Sequence, residues 1–103
     1  MYDVRMRGLH FEWDEAKNRL NKRKHKVSFQ EAATIFLDEY ANRYHDPDHS
    51  TEDEDRFLML GISSKLRVLI VCHCYMASDC GIRIISARKA DKKETLDYWN
   101  KRS

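Results

Sequence analysis

The fold is decided by residues 56–75, which read RFLMLGISSKLRVLIVCHCY. Two apolar, partly β-branched runs, residues 56–62 and 66–75, flank a short polar interruption. Such runs on either side of a polar turn are typical of paired antiparallel strands. A further apolar run at residues 82–87 follows a turn at residues 77–81, so the sequence predicts an antiparallel meander.

Upstream of the meander, the sequence predicts a strand followed by a helix. Residues 9–13 alternate between apolar and polar side chains, which is the period of a half-buried strand. Asp14 can cap a helix that runs to about His25. Ala16 and Leu20 would then face the core, on the side of Trp13, with most lysines and arginines on the opposite face.

A second helix and a short edge strand precede the meander. Ser28 and Glu31 form a capping box, with Val27 placed to pack on Ala32, and the helix is predicted to end at residues 38–39. Its apolar positions at helical spacing are Phe29, Ala32, Ala33, Phe36 and Leu37. Residues 40–45 alternate weakly and predict a short edge strand before an irregular acidic loop.

The chain ends in a predicted third helix, which completes an α+β fold. Asp91 and Glu94 form a second capping box, and Leu96 and Trp99 provide the apolar contact. We predict two N-terminal helices and a C-terminal helix around an antiparallel sheet. With 103 residues of which 42% are hydrophobic, residues 1–103 suit one domain with one modest core.

Composition points to a protein of the cytoplasm. No apolar run approaches the length of a membrane-spanning helix, and the N-terminus lacks a signal-peptide core. We therefore expect no membrane association. The 3 cysteines are Cys72, Cys74 and Cys80, an odd number in one region, which favours reduced thiols over a disulfide framework.

Charge is unevenly distributed although the net charge is only +2. Residues 15–26 are basic and include Lys22 and Lys24, residues 46–55 are acidic, and residues 83–102 are basic again, with Arg83 and Lys89. If the two basic segments converge, they would bind a polyanion with an affinity that falls as salt rises.

Familiar enzyme and cofactor motifs are missing from the sequence. It contains no Walker loop, dinucleotide fingerprint, zincin motif or nucleophile elbow, so no cofactor is expected. Successive strand residues point to opposite faces, so His73 would turn away from Cys72 and Cys74, and we predict no metal site. A small zinc-stabilised protein that also uses Cys80 or the loop histidines is the last-ranked alternative.

Several basic residues are candidates for binding a phosphate. Arg83 and Arg88 flank an inner strand, and an arginine fork donates two parallel hydrogen bonds to a phosphate. The alternative is a solvated arginine or a salt bridge to the acidic loop. Arg56 follows the acids of residues 52–55, so it has the same two interpretations.

Proton transfer and base stacking have fewer candidates. His25 suits a general base because imidazole titrates near neutral pH, although a histidine at a helix end is also commonly structural. Tyr98 is a candidate for stacking on a base, whereas Trp99 is better explained as the side chain that docks the last helix.

The motifs together resemble one known family, the BrnT toxins. The resemblance lies in residues 11–17 (FEWDEAK), 24–25 (KH), 27–33 (VSFQEAA), 54–57 (EDRF), 82–90 (IRIISARKA) and 93–94 (KE), with Gly61, Ser63 and Tyr98. It covers nearly the whole chain after Leu9, in order. This coverage makes it far more specific than any single motif.

The resemblance implies a RelE-like fold and a ribonuclease that arrests translation until a BrnA-like antitoxin neutralises it. It implies that operator DNA is bound only through the antitoxin complex. Arg56 and Arg88 occupy the family's arginine positions and become the leading candidates to bind the phosphate, without a metal. His25, Lys24 and Glu54 are the candidates to move protons, and Lys22, Arg83, Lys89 and Tyr98 are the candidates to bind RNA.

One position departs from the family pattern. Lys26 stands where the family typically has a glycine after the histidine, a residue suited to a left-handed helix terminator. We expect Lys26 to strain or lengthen that turn, which puts the role of His25 in question. The main rival function is a non-catalytic module that binds the antitoxin or nucleic acid with the same basic surfaces.

Overall fold

A mixed sheet forms the centre of the molecule. The computed structural model describes residues 2–77 and 81–102. The strands in this part of the chain are β1 (Tyr2–Met6), β2 (Leu9–Trp13), β3 (Asn42–His45), β4 (Arg56–Ile62), β5 (Val68–Tyr75) and β6 (Gly81–Lys89). The helices are α1 (Glu15–His25), α2 (Phe29–Thr34), continued by the 3₁₀ turn Ile35–Leu37, and α3 (Lys92–Arg102).

The strand order is β1-β2-β6-β5-β4-β3. The predicted meander is confirmed, since β4, β5 and β6 pair antiparallel in sequence order, and β3 pairs antiparallel with β4 at the edge. The prediction of a purely antiparallel sheet is wrong, because β2 pairs parallel with β6. The predicted turn at residues 77–81 includes residues 78–80, which lie outside the described residues.

Strand β1, which pairs antiparallel with β2, was not predicted from the sequence. The segment has charged residues at Asp3 and Arg5, as an edge strand tolerates, and so lacks a clear apolar run. The signal that was overlooked lies in the connection between β1 and β2. Arg7 (φ 47°) and Gly8 (φ 83°) in this connection both take positive φ angles. Two such residues are typical of a tight β-hairpin turn.

Helix α1 lies along β6 through amide side chains. Its buried residues are Asn18 and Asn21, whereas Ala16 is exposed and Leu20 is 58% exposed, so the predicted apolar face is wrong. Asn21 Nδ2 donates to the carbonyl of Ala87 (2.8 Å) and its Oδ1 accepts from the Ala87 amide (3.1 Å). The inward face of α1 thus satisfies a strand's backbone, which apolar side chains cannot do.

Hydrophobic clusters cover both faces of the sheet. Aromatic residues of β2 and α2 dominate the larger cluster, where Trp13 and Phe29 pack edge to face with ring centroids 6.1 Å apart. The smaller cluster joins Leu60 and Ile70 to Tyr98 of α3. The predicted role of Trp99 is wrong, because Trp99 is 44% exposed and the fully buried Tyr98 docks α3.

The hydroxyl of Tyr98 donates to Asp38 Oδ2 over 2.6 Å. Burial, followed by this hydrogen bond, raises the pKa of Tyr98 to about 12. Burial alone would raise the pKa of Asp38, but hydrogen bonds from the Ile62 amide and Tyr98 hold it below its ordinary value. The Asp38 carboxylate therefore links Tyr98 of α3 to the Ile62 amide of β4.

The two predicted capping boxes differ in the structure. Asp91 and Glu94 form a reciprocal pair, with two backbone-to-carboxylate hydrogen bonds of 2.8 Å. Ser28 Oγ accepts from the Glu31 amide (3.0 Å), but the Glu31 carboxylate binds Arg67 and Ser63 instead of returning to Ser28. None of the helices that the structure describes is long and apolar enough to span a bilayer.

Candidate active site

One face of the meander presents polar groups on a partly apolar floor. Directly opposed residues of adjacent antiparallel strands share a face. The register therefore aligns three rows across β4, β5 and β6, which are Arg56–Cys74–Arg83, Leu58–Cys72–Ser86 and Leu60–Ile70–Arg88. A register shift beside Cys72 leaves Ile85 as an extra residue in β6, and such bulges redirect side chains.

A pocket of about 390 Å³ opens on this face. It brings together His25 from the end of α1, Arg56 from the start of β4 and Arg88 from the end of β6. These residues were predicted from separate motifs, and the structure places them around one space. The pocket is further lined by Asp46, Asp48, His49, Leu58, Ile70, Cys72, Ile85, Ser86 and Ala87.

Arg56 is held by its neighbour in the acidic loop. Its Nε donates to Glu54 Oε1 over 2.9 Å, and this hydrogen bond raises the pKa of Arg56. The local ion pair anticipated from the sequence is therefore present. The pair with Glu54 uses only Nε. The two terminal nitrogens of Arg56 make no hydrogen bond within residues 2–77 and 81–102. Arg56 can be ion-paired and still present a fork to a ligand.

Arg88 is bound differently. Its Nη1 and Nη2 donate to the two carboxylate oxygens of Glu94 over 2.8 and 2.9 Å, which raises the pKa of Arg88. The same hydrogen bonds lower the pKa of Glu94. The partner lies in α3 and not in the acidic loop. Since Arg88 keeps 43% of its side chain exposed, a phosphate would compete with Glu94 for its fork.

His49 is a site residue that the sequence analysis considered only as a metal ligand. Its Nδ1 lies 2.7 Å from Oδ2 of Asp46, which is 6% exposed. The Asp46 amide in turn donates to the carbonyl of Arg56 (2.8 Å). The acidic loop thus fixes a histidine beside Arg56. The available signal was the spacing of Asp46 and His49 around Pro47, three residues apart, as suits a turn.

The structure separates the other predicted site residues from the pocket. Lys24 lines an adjoining groove, Glu54 forms an ion pair with Arg56, and Lys22 lines a separate hollow beside Glu31. Arg83 binds Glu12, with Nη2 2.6 Å from Oε1, and Lys89 is exposed at the end of β6. The proposal that Tyr98 stacks on a base is wrong, because its ring is fully buried.

Cys72 and Cys74 are buried free thiols, in agreement with the reduced state predicted from the sequence. Burial raises the pKa of both. His73 is fully buried and packs edge to face on Phe36 at 4.9 Å, and burial lowers its pKa to about 4. No three metal-ligating side chains within the described ranges are grouped to hold an ion. Cys80 falls outside those ranges.

Comparison with known proteins places the chain in a family. Residues 13–94, which include His25, Arg56 and Arg88, match the family described as the ribonuclease toxin BrnT of type II toxin-antitoxin systems. The chain belongs to the BrnT family. It is therefore a ribonuclease toxin, and a type II antitoxin is its partner.

A solved structure shares the fold. The crystal structure of the Brucella abortus ribonuclease toxin BrnT is 23% identical, with a TM-score of 0.60, over 80% of this chain and 96% of that one. A comparison with curated protein sequences finds no match. The BrnT-family chain thus has the α+β architecture of that toxin, with a six-stranded mixed sheet and three helices in the described part.

Proposed function

We propose that this chain cuts RNA in the pocket lined by His25, Arg56 and Arg88, by attack of a ribose 2′-hydroxyl on the adjacent phosphate. The observation that supports it is the convergence of these three residues, from the end of α1 and from both ends of the meander, around one pocket. The reaction forms a bond from O2′ to phosphorus and breaks the bond to O5′. Its products are a 2′,3′-cyclic phosphate and a 5′-hydroxyl end.

The two arginines would bind the phosphate and its developing negative charge. Arg56 offers its two terminal nitrogens while Glu54 holds Nε. Arg88 would contribute by exchanging one carboxylate oxygen of Glu94 for a phosphate oxygen. Fixed donors aimed at developing charge are commonly the largest contribution to catalysis, and removing one costs about 10²–10³ in turnover.

Two histidines that line the pocket would transfer the protons. His25 reaches the pocket beside β6, whereas His49 reaches it beside β4, with β5 between them. An in-line displacement needs a base at O2′ and an acid at O5′, on opposite sides of phosphorus. We assign the pair to these two roles. Because O2′ is the nucleophile and the arginines supply positive charge, the proposed step requires no metal ion.

The setting of this activity is part of the proposal. We propose that the protein works in the cytoplasm, where cutting RNA inhibits translation, and that its antitoxin is BrnA-like and carries the pair to operator DNA. A relation of the fold to RelE toxins belongs to the same proposal. The support is the family match over residues 13–94 together with the cationic pocket.

The test is cleavage of total RNA by rigorously purified protein in excess chelator, with 5′-hydroxyl ends mapped by sequencing. We expect wild type to cut and folded Arg88→Ala to lose about 10²-fold or more in turnover. Arg83→Ala is the matched control, since Arg83 also forms an ion pair, is 44% exposed against 43% for Arg88, and lies outside the pocket. It should change affinity at most severalfold.

Each other outcome has a clear meaning. Equal turnover by wild type and folded Arg88→Ala removes Arg88 from the reaction. RNA that stays intact with wild type, even when translating ribosomes are added, refutes cleavage. If that intact RNA is still bound, the non-catalytic binding module becomes the better explanation.

A further inference from the structure

A second depression adjoins the pocket, between α1 and the bulge of β6. It has a volume of about 440 Å³ and an apolar base formed by Leu20 and Ile85. Lys17, Arg23 and Lys24 line it as well, and none of the described residues that line it carries a carboxylate. We call this depression the α1 groove. Its chemistry is that of an apolar surface surrounded by positive charge.

The exposure of Leu20 has no structural explanation within the fold. Leu20 is 58% exposed on a helix whose core contacts are made by asparagines. The register shift in β6 turns Ile85 toward the same space. Leu20 is exposed and Ile85 is half-buried, and an apolar patch with a charged rim is characteristic of a binding surface.

The α1 groove is continuous with the candidate active site. Its shared wall consists of His25, Ile85 and Ser86, which line both spaces. A ligand that places a phosphate between Arg56 and Arg88 would therefore extend its next unit toward Leu20. RNA has this form, with an apolar base face and one negative charge in every unit.

We propose that the α1 groove holds the nucleotide next to the scissile phosphate, with its base packed on Leu20 and Ile85 and its outer phosphate bound by Lys17, Arg23 or Lys24. This proposal rests on the proposed function, since it locates the groove relative to the cleaved bond. Both Nδ2 hydrogens of Asn21 are used by the carbonyls of Val27 and Ala87, so Asn21 cannot donate to base edges. Recognition by packing and charge then tolerates different bases.

The test uses Leu20→Ala against Leu96→Ala. Both leucines are 58% exposed on helices, and Leu96 lies on α3, away from the groove. Alanine favours helix in both cases. Binding is measured by fluorescence anisotropy with a hexanucleotide that carries a 2′-deoxyribose at the cleaved position, so that no cutting occurs. A dinucleotide and a hexanucleotide of RNA are compared as cleavage substrates.

We expect Leu20→Ala to bind the uncleavable hexanucleotide about fivefold more weakly, because stacking of a base contributes measurably to binding. It should also cut both the dinucleotide and the hexanucleotide with a lower kcat/KM than wild type, because each substrate places the base beside the cleaved bond on Leu20. Leu96→Ala should match wild type in every measurement. Charge reversal by Arg23→Glu should weaken binding further and reduce its salt dependence.

Equal hexanucleotide affinity in wild type and Leu20→Ala overturns the assignment of the groove. So does a loss of affinity for the antitoxin by Leu20→Ala with unchanged RNA binding, which would give the groove to an acidic protein segment. Failure of the proposed function looks different. In that case wild type cuts neither substrate, and the binding measurement alone still decides whether the groove holds RNA.

Discussion

Replacing Arg67 by alanine tests how the helical layer is attached to the sheet. The side chain of Glu31 in α2 is 2% exposed, and it accepts hydrogen bonds from Arg67 and from Ser63 Oγ (2.6 Å). Arg67 also donates from Nη2 to the carbonyl of Lys26 over 3.0 Å. Arg67→Ala therefore leaves a buried carboxylate with one hydroxyl donor and frees the end of α1.

The expected loss is large for a domain of this size. Breaking a buried ion pair from one side costs about 3–5 kcal/mol. Arg67 is 29% exposed, so the pair is partly solvated and we expect the lower end, about 3 kcal/mol. Domains of this kind have a total stability of about 5–15 kcal/mol. Glu31→Gln is milder, at about 1–2 kcal/mol, because the arginine left behind can turn toward water.

The pH dependence of stability should have the opposite sign in Arg67→Ala. Burial works to raise the pKa of Glu31, but hydrogen bonds from Arg67 and Ser63 lower it below 4.5. In wild type this contribution to stability is present at neutral pH and is lost as the pH falls through the folded pKa. Without Arg67, burial dominates and the pKa rises above its ordinary value. The free energy of unfolding of Arg67→Ala should therefore increase as the pH falls from 7 to 5, because protonation of Glu31 removes the buried charge.

Urea unfolding at pH 7 and pH 5 measures both effects, with m-values compared to confirm two-state behaviour. The double variant Glu31→Gln/Arg67→Ala should be more stable than Arg67→Ala alone, because no buried charge remains. The reasoning is refuted if Arg67→Ala loses less than Glu31→Gln, or if its stability falls on acidification in parallel with wild type.

Two further predictions concern the end of α1 and the pocket. Lys26 takes φ 61° and ψ 29°, so Lys26→Gly should stabilise the fold by about 0.5–1 kcal/mol, whereas Lys22→Gly inside the helix should destabilise it by a similar amount. A lower urea midpoint for Lys26→Gly would contradict this. Glu94→Gln keeps the capping box with Asp91 but weakens the pair with Arg88, so we expect a stability loss below about 1 kcal/mol and tighter RNA binding by anisotropy. Weaker binding would argue against Arg88 as a phosphate ligand.

Local sequence patterns predicted the strands of the meander, but not the long-range pairing of β2 with β6. The alternation of residues 9–13 and the cap at Asp14 are properties of neighbouring residues, and Asp14 Oδ1 accepts from the Ala16 amide at 2.9 Å. The parallel pairing of Phe11 with Ile82 joins segments far apart in the chain, and the alternation of either strand contains no information about its partner.

The aromatic residues of α3 show why helix anchors are hard to predict. Tyr98 and Trp99 are adjacent, so they lie about 100° apart around the helix, and either can face the sheet. The choice depends on Asp38, which is 60 positions away and accepts a hydrogen bond from the Tyr98 hydroxyl. Trp99 has no hydroxyl. Apolarity alone favoured tryptophan, but the polar partner favours tyrosine.

The candidate site was predicted only in part for a similar reason. Chemistry alone favoured a solvated or ion-paired arginine over a phosphate ligand at Arg56 and Arg88, and only the family resemblance raised them to leading candidates. In the structure each arginine is ion-paired and also lines the pocket, and phosphate binding stays a prediction. His49 was missed because its orientation by Asp46 depends on a loop conformation that charge counting does not reveal.

Because β2 pairs with β6, the sheet is completed only late in synthesis. Strand β2 emerges early from the ribosome but has only the hairpin partner β1 until residues 81–89 are made. The same late segment carries Arg88, Ser86 and the carbonyl that Asn21 binds. A nascent chain that stalls before β6 therefore has neither a closed sheet nor a pocket. On the proposed mechanism, the chain can cut RNA only after residues 81–89 have been made.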